Sequence, residues 1–155
     1  MFDGAKMDRT KQQTPAKISI ILDTNFLLIP GQFKVDIFRE LERVIETPYR
    51  LVVLDATIDE LKELSSSKGA KGKDKDAAKL ALKLVQAKTD TETQNINIVT
   101  SAEPYVDRAI LQMVQEDPKD KNLVVATQDQ ELKRLLKKAG TKTITLRQKK
   151  YLIIR

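Results

Sequence analysis

The 155-residue chain contains no cysteine and no histidine. These absences exclude disulfides, zinc fingers, a cysteine nucleophile, a Ser-His-Asp triad and a histidine general acid or base. Aromatic residues make up only 5% of the chain, so aliphatic side chains must fill the core. No apolar run approaches the roughly 20 residues of a membrane span, and no membrane partner is expected. The first 17 residues, MFDGAKMDRTKQQTPAK, lack the apolar stretch of a secretory signal. They read as a polar, poorly ordered lead-in, and the expected setting is cytoplasmic. Catalysis is left to Asp, Glu, Lys, Tyr, Ser, Thr or a bound metal. With only oxygen ligands on offer, that metal would be hard: Mg²⁺ or Mn²⁺ ahead of Ca²⁺.

What the chain does contain is a series of short aliphatic runs, each leading quickly to an acid. Ile18–Leu22 is followed by Asp23, Thr24 and Asn25; Leu51–Leu54 by Asp55 and then Glu60; Leu123–Ala126 by Thr127, Gln128 and Asp129. Runs that are apolar throughout are the mark of strands buried on both faces, as in a parallel sheet covered by helices. Ile96–Val99, Thr143–Leu146 and Tyr151–Ile154 read as further strands. Helical spacing covers Val35–Ile45, a segment after Asp55 carrying Ile58, Leu61 and Leu64, Ala77–Lys88, Tyr105–Val114 and Glu131–Lys138. Pro30-Gly31 reads as a turn, Ser65–Asp76 as a mobile basic loop, and Asp55 and Thr57 as helix caps. The alternation predicts an α/β protein, a three-layer α/β/α sandwich with a mainly parallel sheet, in one domain over residues 18–155.

In such sheets ligands bind at the carboxyl ends of the strands. Asp23, Glu60, Asp107 and Asp129 all fall there. Each has a bland reading: Asp107 and Asp129 as helix caps, Glu60 as a first-turn acid. Asp23 resists one, because the sequence shows no helix starting directly after it. Gathered carboxylates repel unless a cation sits among them. Such a site suits metal-assisted phosphoryl chemistry, with Thr24, Asn25 and Thr127 to orient water and phosphate. The net charge of +6 favours a polyanionic partner.

The segments ILDTNFLLIPGQFKVDIFRELERVI, LDATIDELKEL, YVDRAILQMV and VVATQDQELKRLLKKAG followed by ITLRQKKYL resemble the PIN-domain nucleases, nearest to their ribosomal-RNA-processing branch. The resemblance spans Ile18 to the C-terminus. It implies a metal-dependent RNA endonuclease with Asp23, Glu60, Asp107 and Asp129 as catalytic metal ligands and Glu131 as an additional one. Asn25 and Thr127 match its substrate-orienting residues. It implies ribosomal RNA or its precursor as partner, and pairing of two copies. Arg134, Arg147, Lys149, Lys150 and Tyr151 are the expected RNA contacts, Tyr151 by stacking on an unpaired base. Two departures stand out. Gln128 replaces a frequent Asn, and Arg108 follows Asp107 where a second Asp is frequent. A cation beside the cluster raises two alternatives, a grip on the scissile phosphate or an inactive scaffold that binds RNA or assembly factors. A toxin-type PIN ribonuclease is a third. A receiver domain is excluded by the missing acidic pair after the first strand, and a haloacid-dehalogenase phosphatase by Asn25 in place of its second Asp.

Overall fold

The computed structural model describes residues 17–69, 71–89, 96–116 and 122–155. The expected lead-in therefore lies outside the described residues except for Lys17, and so does most of the polar stretch before the third strand. Six strands form one sheet: β1 Ile18–Leu22, β2 Tyr49–Leu54, β3 Ile96–Val99, β4 Leu123–Ala126, β5 Lys142–Arg147 and β6 Tyr151–Ile154. Their order is β3-β2-β1-β4-β5-β6, parallel throughout except for the antiparallel β5–β6 hairpin.

Seven helices accompany them among the described residues: α1 Thr24–Leu27, α2 Ile29–Phe33, α3 Ile37–Val44, α4 Asp55–Ser66, α5 Gly72–Thr89, α6 Val106–Glu116 and α7 Gln130–Lys138. The three layers follow from alternation along the central strands. Ile20 and Leu22 of β1 join Leu51, Val53, Val124 and Ala126 in a core with α1–α5. Ile21, Val52, Leu54 and Val125 point the other way, into a second core with α6 and α7. Both faces are dry, so these strands are apolar at every position rather than at alternate ones.

Three local expectations are corrected. Pro30 and Gly31 are not a turn but lie inside α2, where proline occupies the first turn and loses no helical hydrogen bond. Gly31 is there for close approach. A Cβ on it would stand 2.4 Å from Ala77 Cα, so α2 and α5 pack almost backbone to backbone. The basic loop is shorter than its composition suggests. Helix α4 runs to Ser66 and α5 begins at Gly72, placing Lys73 and Lys75 on a helix. Buried Ala77, Ala78, Ala81 and Val85 anchor α5, and its charged first turn is carried along. Neither Asp55 nor Thr57 is the N-cap of α4: Leu54 holds that position, Asp55 is the first helical residue and Thr57 is fully buried within the helix.

At the other end of the sheet, β6 is an edge strand covered by side chains. Glu40 accepts from Leu152 N at 2.9 Å and Arg43 donates to Leu152 O at 3.0 Å. The pair from α3 thus satisfies one outward N–H and one outward C=O, groups that would otherwise template pairing with another chain.

Candidate active site

Chain order reverses between β1 and β4, so the crevice at their carboxyl ends is the topological switch point where α/β sheets bind ligands. Register brings the site residues together. Leu22 pairs with Ala126, so Asp23 and Thr127 emerge side by side, and Asp23 N donates to Ala126 O at 2.9 Å.

Asp23 is only 5% exposed. Contrary to the sequence reading, a helix does start directly after it. Asp23 is the N-cap of α1, accepting from Thr24 N at 2.8 Å. Its other oxygen accepts from the Thr127 hydroxyl at 2.7 Å and from Asn25 Nδ2 at 3.1 Å. Burial pushes the Asp23 carboxyl above its ordinary range. Bonds from Thr127, Thr24 and Asn25 pull it back, and the Glu60 charge pushes it up. A carboxylate held in a dry place by three donors, yet facing another acid, is one whose charge a cation would relieve.

The other acids arrive from separate elements. Glu60, one turn into α4, accepts from the Thr24 hydroxyl at 2.7 Å. Asp129 is the N-cap of α7 through Leu132 N at 3.0 Å. Asp107 is not a cap but the second residue of α6, with one oxygen turned to Arg108 N at 2.9 Å. All four line one cavity of about 320 Å³, together with Thr24, Asn25, Leu28, Leu64 and Val106. Among the described residues no three acids stand close enough to hold one ion between them. They form a spaced rim. The donor set fits Mg²⁺ or Mn²⁺ nonetheless, since it is wholly oxygen. Mg²⁺ keeps several waters and takes one or two carboxylates plus substrate phosphate rather than a protein cage.

Thr127 and Asn25 both hydrogen-bond the acids directly. The Thr127 side chain is fully buried; its hydroxyl donates to Asp23 and accepts from Asp129 N at 3.1 Å. Asn25 lines the cavity, but its carbonyl accepts from Gln128 N at 2.8 Å while its amide holds Asp23. Gln128, missed as a functional position, bolts the site to the hairpin. Its Oε1 accepts from Leu146 N and from the Thr145 hydroxyl, both at 2.7 Å. Asp55 stands apart from the rim. It accepts from Ala56 N, Ser101 N and the Ser101 hydroxyl, tying the β3–α6 connection to the head of α4.

Glu131 and Arg134 are not brought to the cavity. They pair with each other on the exposed side of α7, with the Glu131 side chain 65% accessible. Arg108 is not among the cavity's lining residues either; its guanidinium lies over the Tyr105 ring, 5.2 Å from the centroid. The Arg108 head group thus stacks on Tyr105 instead of lining the acidic cavity. Arg147, Lys149, Lys150 and Tyr151 sit at the tip of the β5–β6 hairpin, at the same end of the sheet as the site.

A family model described as a PIN-like domain matches residues 20–149. The chain belongs to the PIN-like domain family. Among curated proteins it is 36% identical over 132 residues to Ribonuclease VapC4 of Methanocaldococcus jannaschii, covering 85% of this chain and 92% of that protein. Among solved structures it matches the PIN domain endonuclease Utp24 with a TM-score of 0.67 at 23% identity, over 88% of this chain and 90% of that one. It also matches a domain of a functionally unknown protein from Methanocaldococcus jannaschii DSM 2661, with a TM-score of 0.52 at 18% identity, over 84% and 91%. Both structural likenesses bear on the fold, and the six-stranded, mainly parallel sheet agrees with a PIN-like architecture.

Proposed function

We infer that this PIN-like protein is a nuclease, a hydrolase of phosphodiester bonds, and that its substrate is RNA. The observation that carries the inference is the convergence of Asp23, Glu60, Asp107 and Asp129 from four elements onto one cavity at the switch point. The relative named a ribonuclease supports the same reading.

Asp23, Glu60, Asp107 and Asp129 would hold Mg²⁺ or Mn²⁺. A bound ion of this kind supplies an acidified water and neutralises charge on the phosphate. The chain's own residues prepare the place. Thr127 fixes Asp23 relative to Asp129, Thr24 turns Glu60 toward Asp23, and Asn25 locks the β1 and β4 loops to each other. Leu28, Leu64 and Val106 give the cavity apolar wall between the acids, limiting competing water. Arg147, Lys149, Lys150 and Tyr151 would grip the strand. The favoured substrate is ribosomal RNA or its precursor, on the resemblance to that branch. A toxin-type ribonuclease is the second reading, favoured by the likeness to VapC4.

The test is cleavage of unpaired RNA with Mn²⁺ or Mg²⁺ by the parent, Asp23→Asn and Asp129→Asn. Asparagine is as good an N-cap as aspartate, so Asp129→Asn should keep α7. Loss of cutting with an unchanged circular dichroism spectrum is expected for both. Parent-like cutting by either variant would remove that residue from the site.

A further inference from the structure

A larger cavity lies away from the four acids. It measures about 570 Å³ and opens between α3 and the hairpin, lined by Lys34, Arg39, Arg43 and Lys150 along with Asp36, Glu40 and Glu42. Much of its acidity is already engaged. Asp36 caps α3 through Arg39 N at 3.2 Å, and Glu40 is held by Arg43 and Leu152 N. Lys34, Arg39 and Lys150 have no ion-pair partner among the described residues.

The backbone gives an independent sign. Lys34 has φ 57° and Lys149 φ 58°, beside Gln148 at φ 53°. Left-handed residues are normally glycine or asparagine, because a Cβ there costs roughly 1–2 kcal/mol. The turn within the three-residue connection between paired Arg147 and Tyr151 has both central φ values positive, positions normally filled by Asn-Gly. Here they are Gln148 and Lys149, and Lys150 N closes the turn by donating to Arg147 O at 3.0 Å. The two left-handed lysines come near each other through Phe33: Lys149 Nζ lies 5.9 Å from its ring centroid, and Lys34 is the next residue in the chain. Lys34 is the left-handed C-cap of α2, its N–H returning to Pro30 O at 3.0 Å, a place normally given to glycine; lysine at both left-handed positions is a local cost that points to a use for the two side chains. Helix α2 links this place to the acids, since Leu28 before it lines the acidic cavity and Lys34 after it lines the cleft. Six helical residues span ~9 Å, within reach of the nucleotides next to a cut.

We propose that this cleft continues the strand grip of the hairpin into a further binding site for the phosphate backbone of RNA, with Lys34 and Arg39 joining Lys149 and Lys150 as its contacts. The proposal rests on the nuclease reading and adds to it where the uncut part of the strand is held. Phosphate contacts set register without reading sequence, so the site would position rather than select.

The test uses Lys34→Gly, Lys149→Gly and their double variant. Binding of end-labelled unpaired RNA is followed by fluorescence anisotropy in a chelator, so that nothing is cut, and Tm is measured on the same samples. Glycine relieves the left-handed strain, so Tm should hold or rise, offset at Lys149 by removal of its ammonium from the Phe33 ring. RNA affinity should nonetheless fall, and the log–log salt slope should shrink by ~0.7 for each phosphate neutralised no longer. A parent that binds no RNA would overturn the nuclease reading and this proposal with it. A parent that binds RNA, with a double variant equal to it in affinity and slope, would overturn the proposal alone. The cleft would then suit an acidic protein segment instead.

Discussion

Thr127→Val is the perturbation that joins fold to site most tightly. Valine matches threonine in shape and exchanges the hydroxyl for a methyl. In this fully buried place the hydroxyl donates to Asp23 at 2.7 Å, with a longer approach to Asn25 Oδ1 at 3.4 Å, and accepts from Asp129 N at 3.1 Å. Losing a hydrogen bond to a charged group costs about 1.5–3 kcal/mol, and leaving a donor unpaired costs about 1–3 kcal/mol. The extra buried methyl and the solvent near Asp129 offset part of this, which leaves a loss of about 2–4 kcal/mol. In a domain of this size that lowers Tm by about 5–15 °C.

The loss should also depend on pH, with a defined sign. Asp23 titrates above its ordinary range in the fold, so the folded state holds its proton longer than the unfolded chain does. Stability from this group is therefore present below its unfolded value and falls as pH rises through the folded one. The Thr127 bond favours the charged form, so removing it raises the folded value further. The variant should lie closer to the parent at about pH 4 than at about pH 8. Denaturant unfolding at both pH values, with RNA cleavage alongside, reads this out. A deficit under about 0.5 kcal/mol, or one equal at the two pH values, would refute the account of Thr127 as the brace between the acids.

Two further substitutions test the frame and the rim. Gly31→Ala sets a methyl 2.4 Å from Ala77 Cα and 2.6 Å from its Cβ, so α2 must leave α5. Overpacking should exceed the gain in helix propensity and cost about 1–3 kcal/mol, seen as a Tm lower by about 3–10 °C; an unchanged or raised Tm would show that the helices separate freely. Glu131→Gln should cleave RNA at the parent rate, because Glu131 faces Arg134 and solvent rather than the cavity. A large loss of cleavage would restore it as a ligand.

The central strands were legible because burial on both faces leaves an unbroken aliphatic signature. Ile18–Leu22 and Leu123–Ala126 were located to the residue, while β2 starts two residues ahead of its aliphatic run, at Tyr49; the partly exposed edge strands Ile96–Val99 and Tyr151–Ile154 were located as well, from their short β-branched runs. Helices α1 and α2 were not. Four and five residues are too few to show a period, and Pro30-Gly31 carries a turn signature that only the approach of Ala77 explains. That the four acids would line one cavity was legible because strand ends in a parallel sheet converge, a consequence of topology rather than of any one residue. Glu131 was misplaced toward them because helical azimuth decides its direction. At the second position of α7 it turns to Arg134, three residues on. The roles of Thr127 and Gln128 needed the register of β1 against β4 and β4 against β5, which a sequence does not display.

The most direct test of the central claim is a Mn²⁺ titration of isotopically labelled protein followed through its amide NMR signals. The ion broadens whatever lies near it. At the lowest Mn²⁺ the account expects losses centred on Thr24, Asn25, Glu60, Asp107 and Gln130, with Asp36, Glu40 and Glu42 unaffected. Broadening centred on those last three acids, or none at all at any Mn²⁺ concentration that leaves the protein folded, would contradict it.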